Sequence, residues 1–165
     1  MGAQGAERSR DGGWRSESGH GPARAIRGRT ARRPETIRLA ATDAAPEEAR
    51  LWLRRLLEWA DGPLEDAQLL MSELVTNSLR HAGLGPDGWI EVSVQRPPPA
   101  LRVTVCDPGP GFVPPAEPRL PPPSEATGRG LYIVSRISDR WGVSCGRGTC
   151  VWFEIDGARQ LERYH

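Results

Sequence analysis

The chain contains no lysine: every one of its 22 basic residues is arginine. That excludes a Walker A phosphate loop, whose lysine reaches the phosphates, and any chemistry that runs through a lysine Schiff base. Cysteine is almost as scarce. Cys106, Cys145 and Cys150 form no C-x-x-C pair and leave one thiol over in any pairing scheme. Neither a zinc site nor a disulfide framework is expected, and buried thiols in a reducing cytoplasm fit better. No apolar run approaches the roughly 20 residues that cross a bilayer, and the N-terminus has no hydrophobic targeting core. The expectation is a cytoplasmic chain with no membrane contact. Motifs for a Ser-His-Asp or thiol nucleophile are lacking too.

What is present is unevenly distributed. The 165 residues amount to about one domain. Their 38% hydrophobic content is low, and the deficit is local. Residues 1–34 hold eight arginines against three acids and almost no aliphatic side chains. Such a segment buries too little surface to fold and reads as a disordered Arg/Gly-rich tail. Its net charge of +5, taken from the total of +1, leaves −4 on residues 35–165. A mildly acidic folded part is not expected to bind nucleic acid directly. The expected organisation is tail 1–34, one folded domain over 35–157, and a short C-terminal tail over 158–165.

Within the domain the hydrophobic period changes from element to element. "TIRLAA" reads as a short strand, and "TDAAPEEARLWLRRLLEWADG" as a helix with a cap at Thr42 or Asp43 and apolar Ala49, Leu53, Leu56, Leu57 and Ala60. Gly62 and Pro63 break it. "PLEDAQLLMSELVTNSLRHAG" is a second helix, stopped by Gly83. "WIEVSVQR" and "LRVTVCD" alternate as strands with one buried face. Residues 113–127 carry six prolines and must be loop. "GRGLYIVSRISDR" is a third helix, and "WGVSC" and "TCVWFEID" form a final strand pair. The order predicts an α+β two-layer sandwich, with helices on one face of a mixed, mostly antiparallel sheet.

On the second helix Glu73 and Asn77 stand one turn apart on the polar half of the wheel, with Arg80 and with His81 at the border. A carboxylate that takes a proton beside an amide oxygen that holds Mg²⁺ suits phosphoryl transfer. The pair also fits the wet face of an amphipathic helix, and His81 a helix end favoured by the dipole. "VCDPGPGF" runs a strand into Asp107 and then alternates Pro108 and Pro110 with Gly109 and Gly111, a loop both bare and stiff. Gly128 and Gly130 flank Arg129 before the third helix.

Together the four stretches "ELVTNSLRHAG", "DPGPGF", "GRGLYIV" and "GTCVWFEI" resemble the N, G1, G2 and G3 boxes of the GHKL ATPases, which share the Bergerat ATP-binding fold. The resemblance spans about residues 36–156. In its compact size it is most similar to the bacterial anti-sigma factor serine/threonine kinases and single-domain regulatory relatives. It implies that Asp107 accepts a hydrogen bond from the adenine amino group and that Gly109 and Gly111 keep side chains clear of the base. Thr149 would sit beneath the adenine, and Asn77 would bind Mg²⁺ bridging the ATP phosphates. Glu73 would be the general base toward a serine or threonine hydroxyl. Gly128 and Gly130 would let the backbone close on phosphate, with Arg129 a phosphate contact. The implied partners are a sigma factor and its anti-sigma antagonist. The implied function is ATP-dependent phosphorylation of that antagonist, with a non-catalytic ATP-gated switch as the alternative. The related kinases often pair as homodimers, and Trp52, apolar and outside the expected core stripe, leaves room for that. The proline-rich lid between G1 and G2 departs from the family pattern.

Overall fold

The computed structural model describes residues 33–57, 64–96, 100–116, 118–122 and 129–156. Apart from Arg33 and Pro34, the expected N-terminal tail lies outside them, as do Gly62, Pro63, Gly128 and the expected C-terminal tail. The described elements are β1 (Glu35–Ala40), α1 (Ala45–Leu57), α2 (Leu64–His81), β2 (Trp89–Gln95), β3 (Ala100–Asp107), α3 (Arg129–Ile137), β4 (Arg140–Cys145) and β5 (Thr149–Asp156). The five strands form one sheet in the order β1-β2-β3-β5-β4, and each neighbouring pair is antiparallel.

Period-two alternation decides which face of the sheet is dry. Ile90, Val92 and Val94 of β2, Leu101, Val103 and Val105 of β3, and Val151, Phe153 and Ile155 of β5 are all buried. They meet the helices, so the architecture is the two-layer α+β sandwich that the order of elements predicts. In α1 the buried residues Ala45, Ala49, Leu53 and Leu57 recur every four positions. In α2 the buried row runs Ala67, Leu70, Met71, Leu74, Val75 and Ser78. The two helices pack on each other, α2 lies on β3 and β5, and α3 lies on α2 and β4.

Helix ends follow their chemistry. Acids Glu47 and Glu48 open α1, and Arg54 and Arg55 close it, which suits the helix dipole. The carbonyl of Thr42 accepts the N–H of Ala45, so a turn at 42–45 leads into the helix. Gly83, one residue past Ala82, takes φ +63° and ends α2 as expected. Between the helices, Arg50 donates to Ser72 Oγ at 3.0 Å, and Gln68 donates to the Arg50 carbonyl at 3.0 Å.

The other sheet face carries polar and aromatic side chains. Arg102 lies 3.8 Å over the Trp152 ring and pairs with Glu154 at 2.8 Å, and Arg140 pairs with the same carboxylate at 2.7 Å. Arg38 lies over Trp89 in the same manner on β1 and β2. Gly142 is opposite Trp152, and a Cβ there would fall 2.9 Å from the ring.

Two expectations fail. Cys106 and Cys150 are opposite each other on β3 and β5, with Cα atoms 4.1 Å apart, and form a disulfide. Cys145 is free and exposed, so the buried-thiol reading is wrong for all three residues. It had assumed that an odd count argues against pairing, whereas strand register alone brings two of the three together. Trp52, expected outside the core stripe, is half-buried and packs against the core.

Candidate functional site

The ends of β3 and β5 are where the core becomes polar. Asp107 lies two residues beyond Val105 and Thr149 two before Val151, so both share the core-facing side of the sheet. They are direct cross-strand partners and both are buried. A buried carboxylate requires donors. Ser78 Oγ of α2 donates to Asp107 Oδ2 at 2.6 Å, and the Gly109 N–H donates to Oδ1 at 2.8 Å. Thr149 Oγ1 in turn donates to the Gly109 carbonyl at 3.4 Å.

Above this floor opens a cavity of about 370 Å³. Leu74, Leu131, Val151 and Phe112 give it apolar walls suited to a flat ring. Its polar lining comes from Asn77, Ser78, His81, Asp107 and Thr149. The loop after β3 hugs the end of α2: a Cβ on Gly109 would lie 2.7 Å from Asp107 Oδ1 and 2.9 Å from Ala82. Gly111 takes φ +85°, and its α-carbon faces Cys145, whose sulfur would be 2.8 Å from an added Cβ.

The opposite end of the site belongs to α2 and the start of α3. Asn77 lines the cavity, and Gly130 packs so closely on its amide that a Cβ would fall 2.7 Å from Nδ2. Glu73 is half-buried one turn earlier on α2 and does not line the cavity. Arg129 is exposed at the first position of α3. The structure therefore gathers Asn77, Asp107, Gly111 and Thr149 around one cavity, with Gly109 and Gly130 braced against its polar residues. Glu73 and Arg129 stand outside its lining, and Gly128 lies outside the described residues.

Sequence reasoning missed Ser78. Its signal was available: it occupies a position of the apolar row, four residues after Leu74, where a hydroxyl must be explained. Gly148 was missed as well. A Cβ there would lie 2.2 Å from the Asp107 carbonyl oxygen, so the hairpin can come against the acid's backbone only if residue 148 has no side chain.

Among the described residues no three His, Cys, Asp or Glu side chains gather into a metal cage. Asn77 places one neutral amide oxygen donor beside an open cavity. That donor set fits Mg²⁺, which takes most of its ligands from water and phosphate. The cavity thus offers a carboxylate floor for a hydrogen-bond donor, apolar walls for a ring, and the Asn77 amide at its side.

Several solved structures are similar to this chain. The RsbU and RsbW domains of Rv1364c from Mycobacterium tuberculosis match with a TM-score of 0.53 and 21% identity, over 74% of this chain and 32% of that one. The histidine kinase domain of the Erythrobacter litoralis EL346 blue-light activated histidine kinase matches with a TM-score of 0.46 and 24% identity, over 72% of this chain and 62% of that one. The catalytic domain of histidine kinase ThkA matches with a TM-score of 0.47 and 15% identity, over 74% and 97%. This chain thus spans about a third of the first of these proteins and under two thirds of the second. No curated protein sequence is similar to it. The model of the histidine kinase-like ATPase domain matches residues 36–155, most of the chain and every described element except the outermost residue of β1 and of β5. The chain belongs to the histidine kinase-like ATPase domain family, within the GHKL superfamily and its Bergerat fold.

Proposed function

We propose that this chain binds Mg-ATP and acts as an anti-sigma factor-type protein serine/threonine kinase, whose substrate is the antagonist of a sigma-factor complex. The observation that carries the reading is the buried Asp107 carboxylate, held by Ser78 and Gly109 at the floor of a ring-sized cavity with Asn77 at its side. Asp107 accepts from the amino group of adenine, and the walls of Leu74, Leu131 and Val151 hold the base. Asn77 holds Mg²⁺, which when bound offsets the charge of the phosphates. Glu73, one turn away, takes the proton of an incoming serine or threonine hydroxyl as its oxygen bonds to the terminal phosphorus. ADP is the leaving group. The sigma-factor setting rests on the resemblance of the four sequence stretches to the anti-sigma factor kinases.

Calorimetry with Mg-ATP tests the first step. Micromolar-range binding by the native chain and its loss in Asp107→Asn are expected, because the amide presents N–H groups where the amino group needs an acceptor. Binding that survives this substitution unchanged overturns the assignment.

A second reading has its own observation. Glu73 does not line the cavity, which favours a switch in which ATP controls partner binding without turnover. Label transfer from Mg-ATP to the antagonist separates the two. The kinase loses transfer in Glu73→Gln but keeps ATP, whereas the switch shows no transfer in either protein.

A further inference from the structure

The base end of the cavity has an unusual balance of hydrogen-bonding groups. Ser78 is buried at 7% exposure in the apolar row of α2, and its one proton goes to Asp107 Oδ2. The Gly109 N–H is committed to Oδ1, and the Thr149 hydroxyl proton to the Gly109 carbonyl. The Ser78 hydroxyl, the Gly109 N–H and the Thr149 hydroxyl each donate inside the protein. What Asp107, Ser78 and Thr149 have left for the cavity is lone pairs.

We propose that Ser78 is a specificity-determining residue, which by giving its proton to Asp107 makes the floor of the cavity a surface of acceptors and so selects a purine carrying an amino group at position 6. The proposal rests on the nucleotide-binding reading above and adds a residue to it. Asp107 is the last residue of β3 and is followed by a loop, so its strand does not hold the carboxylate from both sides. Gly109 anchors one oxygen from that same loop. Ser78 anchors the other from α2, 29 residues away in sequence, and thereby ties the acid to the rigid helix that also carries Asn77. Without the hydroxyl, Oδ2 is left with a free lone pair and an apolar neighbour. The carboxylate can then turn. That change costs affinity for a 6-amino purine and lowers the penalty against a 6-oxo purine, whose carbonyl meets the Asp107 acceptor in the native site.

The test compares ATP with inosine triphosphate, which carries a carbonyl at position 6, and with purine riboside triphosphate, which carries only hydrogen there. Dissociation constants are measured by calorimetry for the native chain, Ser78→Ala and Ser78→Thr. For Ser78→Ala, binding of ATP is expected to weaken about tenfold, while binding of purine riboside triphosphate changes less than about twofold and the ATP preference over inosine triphosphate collapses. Ser78→Thr keeps the hydroxyl and restores the preference. Equal weakening of all three nucleotides by Ser78→Ala would show a merely structural hydroxyl and overturn the proposal, as would an unchanged preference. If the native chain bound none of them, the nucleotide reading itself would fail. If it bound ATP with a preference that Ser78→Ala left intact, only the role of Ser78 would be lost.

Discussion

Two glycines at the site carry consequences of opposite sign for stability. Gly130 lies in the first turn of α3, where alanine is favoured over glycine by up to about 1 kcal/mol. Its added Cβ would press on the tip of the Asn77 side chain, which can swing aside. Gly130→Ala is therefore expected to melt no lower than the native chain, yet to lose about tenfold in magnesium-dependent nucleotide binding. Thermal unfolding and calorimetry with and without Mg²⁺ check the two halves separately, and unaltered binding would refute the placement of Asn77. Gly148→Ala meets the Asp107 carbonyl, which is backbone and cannot rotate away. It is expected to lose about 1–3 kcal/mol of stability, measured as a shift in the urea midpoint without a change of slope. Neither contact is legible in the sequence, where Gly130 simply stands at the entry to the third helix and Gly148 just before the last strand. A close approach involves a second segment, and one sequence does not say which segments meet.

Among the elements, β3 and β5 do most to shape the site, and they are joined twice. Their register sets Asp107 against Thr149 on the core side and Cys106 against Cys150 on the other. The disulfide closes a separation of 44 residues. By the loss of unfolded-chain entropy it contributes on the order of 2–4 kcal/mol. Reduction, or the double substitution of Cys106 and Cys150 by serine, should lower the denaturant midpoint accordingly. Titration of the native oxidised chain with a thiol reagent should find one reactive sulfur, that of Cys145, and three after reduction and unfolding. Three reactive thiols in the oxidised chain would refute the bridge. The strands themselves were readable, since "WIEVSVQ" and "LRVTVCD" alternate without a fault. Their pairing was not, because period two assigns each residue to a face of its strand and leaves the choice of neighbour strand open. The same limit explains Trp52: it falls off the narrow stripe expected for α1, yet packs against the core once α1 and α2 come together.

At the scale of the whole molecule, one apolar layer joins the described helices and strands. Phe153 sits at its centre, fully buried, on the strand that pairs with both β3 and β4. Phe153→Ala is expected to cost about 3–5 kcal/mol. In a single core of this size, helix and sheet signals should still be lost together in one transition. Circular dichroism and tryptophan fluorescence, followed through the same urea series, check this, and separated transitions would mean that the layers fold independently. The cavity is a product of the same assembly. Its floor comes from β3 and β5, one wall from α2, and another from Leu131 of α3.

The sequence by itself determined the type and order of the elements, the dry face of each strand, the end of α2 at Gly83 and the one-turn spacing of Glu73 and Asn77. These are local properties, set by hydrophobic period and by the few residues that end helices or form turns. Only the tertiary structure decided that Ser78 reaches Asp107, that Cys106 meets Cys150, that Gly130 lies on Asn77 and that Glu73 stands back from the cavity lining. Each of these joins segments distant in the chain, and the geometry between them is set by how two layers pack on a shared core.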